Sequence, residues 1–181
     1  VSSDMEEQEV PPALHTVNGD DTWKNVRVKF TTEQYAIEVH QAWAAHGLAP
    51  QLYAWAKLPG GMYMVVMEQL DPSAWTNLHR YDSSGRPCVA RVVRQALEMA
   101  HSITLPSGGK AAHGDCRKPN IMVKGEGENA EVKFVDFEWA GEEGKRLYPL
   151  NMSDDIMWPE GASPCKPLMQ AHDVAAVAAN L

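Results

Sequence analysis

Three side chains able to present oxygen to a cation or a hydroxyl fall close together in the second half of the chain. Asp115 and Asn120 stand in His113-Gly-Asp115-Cys-Arg117-Lys-Pro-Asn120-Ile-Met-Val, and Asp136 stands in Phe134-Val-Asp136-Phe-Glu138-Trp. Together they offer a carboxylate on a tight loop, an amide five residues on, and a second carboxylate beyond the next strand. Such groups can set a base beside a hydroxyl and offer hard oxygen ligands to a cation such as Mg²⁺. Phosphoryl transfer asks a protein for these things, since it needs positioning and charge neutralisation more than covalent chemistry. A chance His-x-Asp-x₄-Asn is common, but one running into an apolar strand and followed 21 residues after its Asp by Val-Asp-Phe is not. The plain alternative is a polar Asp/Asn turn between two strands.

Other elements must position these residues. Val26, Val28 and Phe30 alternate with Arg27 and Lys29, a period of two that predicts a strand with one basic face. Thr32 is the expected cap of a helix starting near Glu33, with Tyr35, Val39, Ala42 and Trp43 as its apolar stripe. Glu38 lies at the rim of that stripe, where its carboxylate could point into a cleft, and Gly47 is the expected C′ residue. Strands are predicted over 52–56 and 62–70, with Pro59-Gly-Gly as the turn between them. Asp71-Pro72 breaks the second strand, and the polar stretch to Arg86 predicts a linker holding a short helix. An amphipathic helix follows from Pro87 to about Thr104, with Val89, Val93, Ala96 and Ala100 on its inner face. Strands at 121–123 and 132–135, an extended loop over 140–170 and a helix begun by Asp173 complete an α+β chain. The expected division is an acidic segment at 1–25, a small lobe at 26–70 and a second lobe at 71–181.

The two oxygen-bearing segments resemble the catalytic loop and metal-binding segment of the protein-kinase-like superfamily. That resemblance implies a two-lobed kinase-like fold, with ATP and Mg²⁺ as cofactors and a hydroxyl as acceptor. It implies that Asp115 orients or deprotonates the acceptor, that Asn120 and Asp136 hold magnesium, and that Arg117 sits near the transferring phosphate. Val-Arg-Val-Lys29-Phe resembles the strand whose lysine grips the α and β phosphates, and Glu38 resembles its helix partner. Met67-Glu68-Gln-Leu70 falls where such folds place the linker that binds adenine, with Met67 behind the base and Leu70 as a backbone contact. Glu68 and Met122 are further expected lining residues of that pocket. The wording over residues 26–181 is similar to a fungal group of kinase-like proteins, through Glu-Val-His-Gln-Ala-Trp-Ala-Ala-His-Gly-Leu-Ala-Pro, Asp-Phe-Glu-Trp-Ala-Gly and Trp158-Pro-Glu160-Gly. Trp158-Pro-Glu160 resembles the end of an activation segment, and Asp173 the buried aspartate of the helix after it. The implied acceptor is protein Ser/Thr. His-Gly-Asp and Asp-Phe-Glu also look like motifs of the choline and aminoglycoside kinases, which gives a small-molecule kinase as an alternative. A pseudokinase or fragment serving as a non-catalytic binding module is a third.

The chain departs from the pattern in four places. No glycine-rich loop precedes Lys29, where Asn18-Gly19 offers the only turn, and Arg27 stands where a small residue usually lines the base pocket. Gly114 replaces the arginine that often precedes the catalytic Asp, removing the usual cationic receiver for a phosphorylated segment. The fourth departure is at the ends: the chain starts at Val1 rather than Met and stops one helix after the activation-like segment. A fragment with a truncated second lobe and weak activity is the expectation.

Bulk composition narrows the alternatives. A formal net charge of −8 argues against a general binder of nucleic acid or anionic membrane, since both need a basic face. Three scattered cysteines fit reduced thiols in an intracellular, cytoplasmic protein better than a disulfide framework. No stretch approaches the roughly 18 apolar residues of a membrane span. His113-x-x-Cys116 could be half a zinc site, but no second half with suitable spacing exists.

Overall fold

Alternating side chains and tight glycine turns build most of the structure, a computed structural model that describes residues 15–16, 25–32, 34–81 and 86–181. Most of the acidic N-terminal segment, the Asn18-Gly19 turn, Glu33 and residues 82–85 lie outside the described residues. In chain order the elements are β1 (His15–Thr16), β2 (Val26–Thr31), α1 (Ile37–Ala45), β3 (Leu52–Lys57), β4 (Tyr63–Glu68), β5 (Trp75–Asn77) and α2 (Arg86–Ser102). They continue with β6 (Ala111–Ala112), β7 (Ile121–Lys124), β8 (Glu131–Phe134), β9 (Gly141–Glu142) and α3 (Gln170–Asn180). The result is α+β, with antiparallel sheets ordered β1-β3-β4-β2, β5-β7-β8 and β6-β9.

Register decides which face of β2 looks inward. Lys29 lies opposite Val65 and Arg27 opposite Met67, and residues directly opposite on paired strands share a face. Val65 and Met67 are buried, so the basic face of β2 turns inward, while Val26, Val28 and Phe30 are exposed on the other side.

The helix after β2 begins later than Thr32 and Glu33 predict. Its first residue is Ile37, and Ala36 before it has no side-chain cap. The Ala36 N–H instead donates to Phe137 O at 3.2 Å, so a tertiary contact fixes where the helix starts. Its end is the expected one: Gly47 has φ 75°, and the Gly47 and Leu48 amides donate back to Ala44 O and Trp43 O, each at 2.9 Å.

Two further predictions give way to strand pairing or packing. In the linker, the described residues 71–81 make turns around β5, where Trp75, Thr76 and Asn77 pair with β7; the rest of the stretch that was expected to hold a short helix lies outside the described residues. The 140–170 segment is not a free loop. It contributes β9 to a ladder with β6, and Tyr148, Ala162 and Leu168 bury against Ala112. The last helix starts at Gln170, with Asp173 in its first turn, and packs on α2 with Val177 1% exposed.

One apolar core joins β3 and β4, α1, α2 and the β7–β8 hairpin. Trp43 of α1 lies at its centre, edge-on to Phe134 and Phe137 with ring centroids 5.3 and 5.6 Å away. Each such aromatic pair adds about 0.5–1.5 kcal/mol beyond area burial. Trp43 therefore ties α1 to the strands that carry the oxygen-bearing residues. Among the described residues no helix is long and apolar enough to cross a membrane.

Candidate functional site

The loop between β6 and β7 is held from beneath. Asp173, 1% exposed, accepts from the His113 N–H at 2.6 Å, the Gly114 N–H at 2.8 Å and His101 Nε2 at 3.1 Å. His113 is fully buried; its Nε2 donates to Val135 O at 3.1 Å while Nδ1 accepts from the Asp115 N–H at 3.3 Å. This fixes the tautomer and connects the loop to the chain just before Asp136. Gly114 has φ 78°, and a Cβ there would stand 2.9 Å from Leu168 Cδ2. The missing arginine is thus a steric requirement of this loop, since any side chain at this position is strained.

On that base the polar residues converge. Asp115 accepts from Arg117 Nη2 at 2.9 Å, from Arg117 Nε and from Asn120 Nδ2 at 2.7 Å. Asn120 sits in the short 3₁₀ turn Lys118–Asn120, and its Nδ2 also reaches Asp115 O at 3.1 Å. The guanidinium of Arg117 stacks over Trp158, 5.2 Å from the ring centroid. Its hydrogen bond to the Asp115 carboxylate raises its pKa above the ordinary arginine value.

Asp136 adopts φ 72°, a left-handed conformation uncommon for a non-glycine residue and concentrated at functional sites. Lys29 Nζ lies 2.8 Å from Asp136 Oδ1 and 3.0 Å from Glu138 Oε1. Burial pulls the Lys29 ammonium down, but hydrogen bonds and charge from Asp136 and then Glu138 outweigh it, and its pKa is raised.

A cleft of about 650 Å³ runs between β2 and β4 on one side and the β5-β7-β8 sheet on the other. Lys29, Asn120 and Asp136 line it, as do the expected pocket residues Met67, Glu68, Leu70 and Met122. Arg27 also faces into it. Glu68 does not offer its carboxylate to the cleft as a free group: it accepts from Lys133 Nζ at 2.7 Å and from the Gln51 N–H at 3.0 Å. Burial alone would raise the Glu68 pKa, but Lys133 and the Gln51 amide bring it below the usual glutamate value. Asp115 and Arg117 do not line this cleft and are joined to it through Asn120.

Glu38 is not brought to the site. It is exposed and lines a separate groove of about 880 Å³ between α1 and residues 140–147. The carboxylates on Lys29 are Asp136 and Glu138. The late start of α1 accounts for the difference, because the helix presents Val39 and Trp43 to the core and leaves Glu38 on its outer side. Glu138 is the residue that sequence reasoning passed over. Asp136 is left-handed with φ 72°, which breaks strand alternation after β8, so no local spacing in the sequence announced that Glu138 would reach Lys29.

Among the described residues, no group of three or more His, Cys, Asp or Glu could hold a metal by itself. Cys116 is fully enclosed, with burial pushing its thiol well above the ordinary cysteine value. Comparison with family models and with curated proteins finds no match.

Proposed function

We propose that this chain is a two-lobed, kinase-like phosphotransferase that moves the terminal phosphoryl group of ATP to a hydroxyl with the help of Mg²⁺. The observation carrying this reading is the convergence of Lys29, Asn120 and Asp136 in one cleft, with Asp115 hydrogen-bonded to Asn120 at its end. Residues 26–70 then form the smaller lobe and 71–181 the larger one, with 69–72 crossing between them.

The donor set suits Mg²⁺. Asp136 and the Asn120 amide offer hard oxygens, too few for a protein-only site and typical of an ion that completes its shell with phosphates and water. When bound there, the ion would neutralise charge on the phosphates. Lys29 holds an ammonium over the same region, ready to exchange a carboxylate partner for phosphate oxygen. Asp115 supplies the carboxylate that orients the acceptor hydroxyl or takes its proton, and Arg117 must release it for that to happen. Met67, Leu70 and Met122 enclose the base, Leu70 through its backbone.

Protein Ser/Thr is the acceptor class we assign, in an intracellular setting. A small-molecule alcohol is the second reading, favoured by the Gly114 conformation and by Glu138 on Lys29, which suit His-Gly-Asp and Asp-Phe-Glu motifs like those of the choline and aminoglycoside kinases.

Calorimetric titration of ATP with and without Mg²⁺, on the wild type and Asp136→Ala, tests the proposal. The expected outcome is Mg²⁺-dependent binding weakened at least about tenfold by the substitution, equivalent to about 1.4 kcal/mol. Binding indifferent to Mg²⁺ would identify a non-catalytic nucleotide module, and no binding at all would end the reading.

A further inference from the structure

We infer that Arg146 is a positioning residue of the cleft, locking the segment that carries Asp136 and Glu138 to the segment leading into α1. Gly141 is a glycine so that the arginine can pass. The functional part rests on the nucleotide-site reading above; the structural part stands on geometry alone.

Arg146 lies after β9, with its backbone held on both sides. Its N–H donates to Glu142 O at 3.0 Å, and its carbonyl accepts from the Leu168 N–H at 2.7 Å. From that anchor the side chain reaches two other parts of the chain. Nη1 donates to Gln34 Oε1 at 2.6 Å, and Nη2 donates to Glu138 O at 3.1 Å and Gln34 O at 3.4 Å. The Ala36 N–H closes the circuit by donating to Phe137 O at 3.2 Å. Residues 34–36 and 137–138 are therefore bound to each other and to Arg146. Glu138 carries one of the two carboxylates on Lys29, and Asp136 carries the other. Whatever fixes the 137–138 backbone also fixes both carboxylates beneath β2.

Two observations separate this from an ordinary packing contact. Arg146 Nε is enclosed with no partner among the described residues. Buried donors are normally satisfied, and each exception calls for an explanation. Here the planar fork spends its Nη groups on two distant segments, which a lysine cannot do from one position. Second, a Cβ on Gly141 would stand 2.5 Å from Arg146 Cβ and 2.6 Å from its Cγ. Both are stem atoms next to a fixed backbone, so any side chain at residue 141 would displace the arginine.

Amide hydrogen exchange on the full chain, resolved at Ala36 and at Val93 in α2, tests the structural claim. Arg146→Ala should speed exchange at Ala36 at least about tenfold while leaving Val93 unchanged, because local opening and global unfolding report separately. Gly141→Ala should act at the same place, and the double variant should add little to either. Arg146→Lys should not restore protection. Should Arg146→Ala also lose protection at Val93, Gln34→Ala decides, since it removes one exposed acceptor and must still loosen Ala36. Ala36 protection equal to wild type in Arg146→Ala, or in Gln34→Ala where that variant decides, overturns the inference. The functional consequence is read with Mg²⁺ and a non-hydrolysable ATP analogue, whose affinity should fall about tenfold in Arg146→Ala. A wild type that binds no nucleotide defeats the functional reading, while Ala36 exchange still decides the coupling.

Discussion

The loop that brings Asn120 to the cleft and the strand that brings Lys29 to it are held by different means. The loop rests on a buried carboxylate, Asp173, satisfied by two backbone amides and a histidine, with fully buried His113 locking it to Val135. Among the described residues the partners of Lys29 Nζ are the carboxylates of Asp136 and Glu138, and its side chain is 27% exposed. A buried, satisfied network allows one geometry and resists change. A half-exposed ammonium among carboxylates can trade partners at low cost. On the proposed nucleotide-site reading, the loop would keep its shape whether or not anything is bound, and the strand side would respond to a ligand.

The most severe way to break this contrast is to remove Asp173. Asp173→Ala leaves two backbone N–H groups and His101 without their acceptor in the core, at about 1–3 kcal/mol for each unsatisfied donor. The expected loss is about 3 kcal/mol or more, seen as a lower urea midpoint with unchanged slope. Lys29→Met should cost less than about 1 kcal/mol in the same assay. Equal losses would show that both sides are structural.

Acid should reach the cleft from α1. His40 is fully buried, with Nε2 donating to Pro50 O at 2.8 Å, Nδ1 accepting from the Tyr35 hydroxyl at 3.0 Å, and its ring stacked on Phe137 at 4.6 Å. Both nitrogens are in use by the neutral ring. Burial lowers its pKa from 6.5 to about 4, the Pro50 carbonyl opposing this only in part. Because the folded value lies below the unfolded one, the unfolded chain takes up the proton first as pH falls. Stability is therefore intact above about pH 6.5 and is lost progressively down to about pH 4. The full span corresponds to about 3 kcal/mol. Denaturant midpoints at pH 7 and pH 4.5 check this, with His40→Phe expected to flatten the difference.

The grouping of the oxygen-bearing residues was easier to read in the sequence than the elements around them. Asp115 and Asn120 are neighbours on one short loop, and the β7–β8 hairpin brings the chain before Asp136 back to Asn120, where the Val135 N–H donates to Asn120 O at 2.9 Å. Met67, Glu68, Leu70 and Met122 were expected from the resemblance alone, and they line the cleft where the chain leaves β4 and passes over β7. The start of α1 was not legible, since it depends on a hydrogen bond from Ala36 to Phe137, about 100 residues away in the chain. β5, β6 and β9 are two or three residues long and exist only by pairing, so no local propensity announces them. The misplaced role of Glu38 follows from the same cause. Helical spacing alone cannot say which rim of a stripe faces a cleft.

The smallest effect sharpens the strand side, by asking which carboxylates Lys29 feels. Asp136 and Glu138 raise its pKa against the opposing pull of burial, so losing either should lower it and increase the neutral amine at a given pH. Glu138→Gln removes one charge 3.0 Å from Nζ without changing the shape of the side chain. A partly exposed pair is worth on the order of 0.2–1 kcal/mol, so acylation of Lys29 near pH 9 should speed up by a factor of about 1.4 to 5. Glu38→Gln should leave that rate unchanged, because Glu38 is exposed on the far side of α1 and forms no ion pair with Lys29. Peptide mapping after a brief reaction with an amine-selective reagent separates Lys29 from the other lysines. An equal acceleration from both substitutions would place Glu38 within reach of Lys29 and return to it the role that Glu138 holds in this structure.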